Sequence, residues 1–262
     1  MKRLPERPIT FMSESEQPVI CLDFDGVLCE SIYECLIVAY SVFYQKHIRH
    51  LDEVPAPIKD YFLRYRYFVA PAYDYALIFQ AYESGIQTLT RERFNALCRQ
   101  DLNDRLSFGQ RFFEYRNLLR QDLQAWLGLH VLFEQAACVR QDEFPCFNIM
   151  TTKDKKSVEL LAQSLGFSHK LSSIYAKEVS VDKSIQFQTF FQDRGINPRE
   201  TDVIFVDDNI EHLHKLNGMG LHLYHAAWGY CDKQELSPFA VAENLDFMID
   251  SEFQYEALKD TD

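Results

Sequence analysis

Four short segments of this sequence hold residues that could do chemistry together: Asp23-Phe24-Asp25-Gly26, Thr151-Thr152-Lys153, Lys183, and Asp207-Asp208-Asn209. The first and last are paired carboxylates, and each follows an apolar run, Val-Ile-Cys-Leu and Val-Ile-Phe-Val. Carboxylates brought to one rim repel unless a cation lies among them, and a set of hard oxygen donors favours magnesium. A carboxylate beside such a cation can attack phosphorus while hydroxyl, lysine and backbone N–H groups hold the phosphoryl oxygens. Each segment also has a plainer reading. Asp-x-Asp-Gly is commonly a solvated turn, Thr151 can cap the helix expected from near Lys156, and a lysine near a helix start is commonly exposed. Lys177 rivals Lys183, and spacing favours Lys183. The order of the four segments, each at the end of an apolar run or the start of a helix, is what gives them weight.

To act together these residues need a scaffold that presents strand ends on one side. The apolar run at 18–24 reads as a buried strand feeding a loop. From residue 145 onward, short apolar runs at 146–150, 172–176, 203–206, 221–225 and 245–249 alternate with amphipathic stretches that start near Lys156, Ser184 and Glu211. Strands alternating with helices imply an α/β fold with right-handed crossovers and a doubly wound, mainly parallel sheet. Ligands bind such sheets beyond the carboxyl ends of the strands, where the four segments fall. Between the first two segments the texture is helical. Tyr33, Leu36, Ile37, Tyr40 and Phe43 recur at helical spacing, and further helices are expected at 58–68, 72–83, 91–99 and 109–127. The expected organisation is a core at 18–30 and 130–250, a helical insertion at 31–129, and polar tails at 1–17 and 251–262.

A formal charge of −12 over 262 residues provides no general field for nucleic acid or an anionic membrane, so neither is expected as a partner. Seven cysteines form no Cys-x-x-Cys pair and sit mostly in apolar runs, as reduced core residues do. The first seventeen residues lack the apolar centre of a signal peptide and no run is long enough to span a bilayer, so a cytoplasmic location is expected.

Taken together, the segments resemble the signature of the haloacid dehalogenase superfamily, in its phosphatase-type members with a cap inserted after the first motif. Asp23-Phe24-Asp25-Gly26-Val27-Leu28 matches the first motif, Thr151 the second, Lys183 the third and Asp207-Asp208 the acidic fourth. Lys183 and Asp208 are 25 positions apart, which suits this family, and Ala227-Trp228-Gly229-Tyr230 adds to the likeness. The resemblance covers the core and fades across the insertion. It implies a Rossmann-like core with an α-helical cap, and a Mg2+-dependent phosphohydrolase that cleaves a small-molecule phosphomonoester through an aspartyl-phosphate. By the resemblance Asp23 is nucleophile and metal ligand, and Asp25 is general acid and base and meets the metal through its backbone carbonyl. Asp208 is then a direct metal ligand with Asp207 in support, while Thr151 and Lys183 bind phosphate, with Thr152 as a further phosphate contact. An acid two residues after the nucleophile serves an oxygen leaving group and favours a phosphatase over a dehalogenase. A phosphomutase, or a non-catalytic phosphate- or partner-binding member, are the alternatives; the latter would be expected to have lost a catalytic residue, and none is lost. The cap should lie over the site. Arg64 and Arg66 within it could bind an anionic substrate group, but arginines on a polar face usually read as solvated, and His47 and His50 read as surface residues.

Overall fold

The run Val-Ile-Cys-Leu forms β1 (Val19–Leu22), and the chain then passes through a tight loop to the two-residue strand β2 (Cys29–Glu30). A helical stretch follows: α1 (Ile32–Phe43), α2 (Ala56–Tyr65), α3 (Tyr75–Glu83), α4 (Arg91–Cys98), α5 (Leu102–Leu119) and α6 (Leu123–Leu127). The chain returns through β3 (Val131–Leu132), which pairs antiparallel with β2 and so closes the neck of the insertion. It continues through β4 (Phe147–Met150), α7 (Lys155–Ser164), β5 (Leu171–Tyr175), α8 (Lys183–Arg194), β6 (Val203–Asp207), α9 (Ile210–Leu216), β7 (His222–Ala226) and β8 (Ala240–Ala242). This computed structural model describes residues 18–99, 102–232 and 236–249; the tails expected at 1–17 and 251–262 lie outside the described residues.

The main sheet has the order β5-β4-β1-β6-β7-β8, and every neighbouring pair is parallel. Strands in such a sheet are covered on both faces, and the period of two divides their residues between them. Ile20, Leu22, Ile204 and Val206 pack into one core, whereas Cys21, Val203 and Phe205 pack into another with Phe187, Phe190, Leu213 and Leu216. The first core continues without a break into the insertion, where it takes in Leu36, Phe62, Phe79 and Phe112. α1 packs against α2, α3 and α5. It is buried from Ile32 to Val42 except at Tyr33, which is exposed rather than on the shared apolar face expected for it. A helix apolar all round is one enclosed on all sides.

Three expectations need correction. The run at 245–249 is not a strand; it holds a 3-10 turn at Asp246–Met248, and the last strand is Ala240–Ala242. Leu245 and Met248, both buried, are three residues apart, which suits a three-residue turn better than a pleat. The helix expected at 109–127 begins earlier and is divided, with Asp122 capping α6 by accepting from the Ala125 N–H. Cys146, assigned to the core, is exposed just before β4, although the described cysteines are all free and Cys21, Cys29, Cys35 and Cys138 are buried. No helix among the described residues is long and apolar enough to cross a membrane.

A buried ion network ties the insertion to the core. Glu34 of α1 receives Arg116 of α5 in a forked pair at 2.7 and 2.8 Å, and the Trp126 indole donates to it at 3.3 Å. Arg116 reaches on to Asp154 at 3.5 Å, and Arg120 reaches Asp154 at 2.8 Å. Asp154 is also the N-cap of α7, accepting from the Ser157 N–H at 3.0 Å.

Next to this network His130 is 5% exposed. Its Nδ1 lies 2.9 Å from the Trp126 carbonyl oxygen, and its Nε2 is buried without a partner. A neutral ring leaves Nε2 an unpaired acceptor, whereas a protonated one would bury an unmatched N–H. Burial, reinforced by Lys153, lowers the His130 pKa from 6.5 to about 4. Between those values the unfolded chain binds a proton that the native protein does not, so stability falls as the pH drops from 6.5 towards 4. The expected loss from this residue between pH 7 and pH 4.5 is about 2 kcal/mol. Urea unfolding of His130→Gln should therefore show a decline smaller by about that amount over the same range. Equal declines in variant and wild type would rule out His130 as the source.

Candidate active site

Asp23 stands one residue beyond β1, where its N–H donates to the Val206 carbonyl at 2.9 Å. The loop after it is held by the Phe24 carbonyl, which accepts from the N–H groups of Leu28 and Cys29, and by the Gly26 N–H, which donates to Cys29. Gly26 has φ +97°, and a Cβ there would collide with the Asp208 carboxyl. Gly229 packs against the Asp208 side chain and the Gly26 carbonyl with as little room. Glycine is needed at both positions because the Asp208 side chain fills the gap between two backbone loops. The Tyr230 N–H fixes it there, donating to Oδ2 at 2.6 Å.

Lys183, the first residue of α8, is buried and brings Nζ to 2.8 Å from Asp23 Oδ1 and 2.6 Å from Asp207 Oδ2. Asp207 also accepts from the Asn209 N–H and contacts His212 Nδ1 at 3.0 Å, so its oxygens are occupied. Burial opposes its ionisation, but Lys183 and His212 outweigh burial and hold its carboxyl well below the usual range. Asp23 and Asp208 differ. Burial pushes Asp23 up to about 7 against the pull of Lys183, and burial with the neighbouring Asp207 and Asp23 charges pushes Asp208 well up. Carboxylate oxygens of Asp23, Asp207 and Asp208 lie within 4.8 Å of one another. The donor set is all oxygen, crowded and short of positive charge, which fits a hard divalent cation such as Mg2+.

Thr151 follows β4 and is buried, its N–H donating to the Tyr175 carbonyl and its carbonyl accepting from Gln186 at 2.7 Å. The cap of α7 is Asp154, so the plainer reading of Thr151 as a helix cap is not met. Thr151 Oγ1 instead accepts from the Lys153 N–H at 3.1 Å. Thr152 lines the same cleft. Lys177 lies against the Phe113 ring and Glu178, whereas Lys183 reaches Asp23.

Lys153, for which the sequence alone suggests no separate role, is buried with Nζ at 3.1 and 3.3 Å from the two Asp25 oxygens. Burial opposes ionisation of Asp25, but Lys153, with Ser31 and Arg116, holds its carboxyl below the usual range. The insertion supplies the opposite wall. Arg66, Val69, Ala70, Ala72, Tyr75, Phe113 and Arg116 line a cleft together with Asp23, Asp25, Thr151 and Asp208. Arg64 is exposed as expected, but Arg66 is not a solvated surface residue. It lies over the rings of Tyr75 and Tyr230, at 5.2 and 4.9 Å. A signal for Arg116 is present in the sequence, since it falls on the stripe Phe108, Phe112, Arg116, Leu119 that α5 buries.

No family model matches the chain, and no curated protein matches it either. Solved structures do. A haloacid dehalogenase-like family hydrolase from Streptococcus pneumoniae superposes with a TM-score of 0.58 at 16% identity, over 88% of this chain and 97% of that one. A hydrolase from Pseudomonas syringae gives 0.56 at 16% identity, over 88% and 96%. A protein from Haemophilus somnus described as a "predicted phosphoglycolate phosphatase" gives 0.58 at 13% identity, over 90% and 98%.

Proposed function

We propose that this chain, which has the fold of the haloacid dehalogenase-like hydrolases, is a magnesium-dependent phosphohydrolase that cleaves a small-molecule phosphomonoester through an aspartyl-phosphate on Asp23. The observation that carries the reading is the pairing of Lys183 with Asp23 at 2.8 Å inside a cluster of three buried carboxylates, under a wall built by the insertion. Residues 18–30 and 130–250 act as the catalytic core and 31–129 as its cap. Asp23 and Asp208, with the Asp25 carbonyl, would hold Mg2+; when bound, the ion neutralises charge on the phosphoryl oxygens. Asp207 is left to hold Lys183.

In this reading Asp23 attacks phosphorus, and Lys183 and the Thr151 hydroxyl bind the phosphoryl oxygens, with Thr152 beside them. Asp25 protonates the departing oxygen and then takes a proton from the attacking water. Lys153 holds Asp25 ionised while the cleft is without substrate, which is the form that can accept a proton. A phosphate dianion arriving beside Asp25 raises its proton affinity and prepares it for the acid step.

Chelation should lower hydrolysis of p-nitrophenyl phosphate by about 100-fold or more, and added Mg2+ should restore it. Full activity after rigorous metal removal would overturn the metal assignment. Release of inorganic phosphate separates hydrolysis from a mutase, which returns the phosphoryl group to an organic acceptor. No phosphate release from any monoester with Mg2+ present would overturn the phosphatase reading.

A further inference from the structure

Three cations line the cleft, and they differ in how their charge is met. Arg116 is paired with Glu34 and Asp154, and Lys153 with Asp25. Arg66 has no carboxylate within ion-pair distance among the described residues, and its Nε is buried with no hydrogen-bond partner. A buried guanidinium N–H left without an acceptor is costly unless something else supplies one. Nor is the side chain loose. Nη1 donates to the Val69 carbonyl at 2.8 Å, and the guanidinium is set over Tyr75 and Tyr230. Tyr230 is itself fixed, its hydroxyl accepting from the N–H groups of Ser31 and Ile32 at 2.7 and 3.0 Å. Arg66 is thus a prepositioned fork on the cap wall, facing the cleft that contains Asp23.

We propose that Arg66 is the specificity-determining residue of this cleft and that it selects small phosphomonoesters carrying a second anionic group, a carboxylate in first place. This rests on the phosphohydrolase reading above. A planar guanidinium whose Nε lacks an acceptor matches the oxygen pair of a carboxylate, and Arg66 lines the same cleft as Asp23 and Thr151, so one small substrate can meet both ends. Discrimination follows because a neutral analogue leaves the Arg66 N–H unpaired while the acid satisfies it.

The test compares three substrates with the same two-carbon frame: 2-phosphoglycolate, 2-hydroxyethyl phosphate and ethylene glycol bisphosphate, all with Mg2+, beside p-nitrophenyl phosphate. Wild type is expected to favour the carboxylate over the alcohol in kcat/KM on the order of 100-fold. Arg66→Met should bring that ratio to near one, and Arg66→Lys, which keeps the charge but loses the fork, should leave it at about tenfold. The bisphosphate reports whether a second phosphate is accepted in place of the carboxylate; a preference for it over the acid would overturn the carboxylate assignment. If wild type cleaves the aryl phosphate without preferring either dianionic substrate over the alcohol, or if Arg66→Lys and Arg66→Met leave the ratio as it was, the Arg66 proposal is wrong and the phosphohydrolase reading stands. Should wild type cleave none of the four substrates, the Arg66 proposal falls, and the phosphohydrolase reading falls only if no other monoester releases phosphate.

Discussion

Asp23→Asn is expected to lower turnover of an aryl phosphate by about 10,000-fold or more, because the substitution removes the attacking oxygen and leaves nothing in its place. The variant should still fold. The amide oxygen can accept from Lys183, which keeps its shorter contact with Asp207 at 2.6 Å. Asp23 is moreover a carboxylate forced up to about 7 by burial, so removing its charge relieves crowding with Asp207 and Asp208. Thermal unfolding without added metal should accordingly give a midpoint equal to wild type or higher. Rapid quenching followed by mass spectrometry should find phosphate on the peptide containing Asp23 in wild type and none in the variant. Turnover at the wild-type rate in Asp23→Asn would dismiss it as the nucleophile.

Asp25→Asn should fail in a different way. Alkyl phosphates need their leaving oxygen protonated, and their turnover should drop about 1,000-fold. An aryl phosphate needs little protonation, so Asp23 can still be phosphorylated, after which hydrolysis stalls for want of a base. A burst of about one equivalent of phenol followed by a slow phase is the expected trace. The substitution also leaves the buried Lys153 without its carboxylate at 3.1 Å, which adds a stability cost of about 3 kcal/mol that urea unfolding would register. A quenched variant carrying no phosphate on Asp23, with no burst, would refute the division of roles between the two acids.

Much of this site could be seen in the sequence, and what could not has a physical reason. Strand-end chemistry was visible because apolar runs are local: Val-Ile-Cys-Leu before Asp23 and Val-Ile-Phe-Val before Asp207 declare both the strand and its end. The parallel sheet followed from alternation; the exception was 245–249, where a short apolar run reads as a strand although the spacing of Leu245 and Met248 suits a turn. The separation of Asp207 from Asp208 was legible in outline; their contrasting partners, Lys183 and His212 for one and the Tyr230 N–H for the other, depend on contacts from distant loops. Lys153 was opaque for the same reason, and Arg66, open to an anion-binding reading in the sequence, reads there as solvated because its place on the cleft wall depends on such contacts. A lysine after two threonines and an arginine in an aromatic run acquire meaning only when Asp25 and Tyr230 arrive beside them.

The chain of contacts from Glu34 through Arg116 to Asp154 has a mechanical consequence. Separating such a pair strands a charge in a medium of low dielectric, and here the same movement would also part an apolar core that runs unbroken between insertion and sheet. The two halves therefore resist swinging apart as rigid leaves of a hinge. Opening the cleft by moving the insertion as a whole would carry both costs at once, so the wall over Asp23 is held by the same contacts that stabilise the fold.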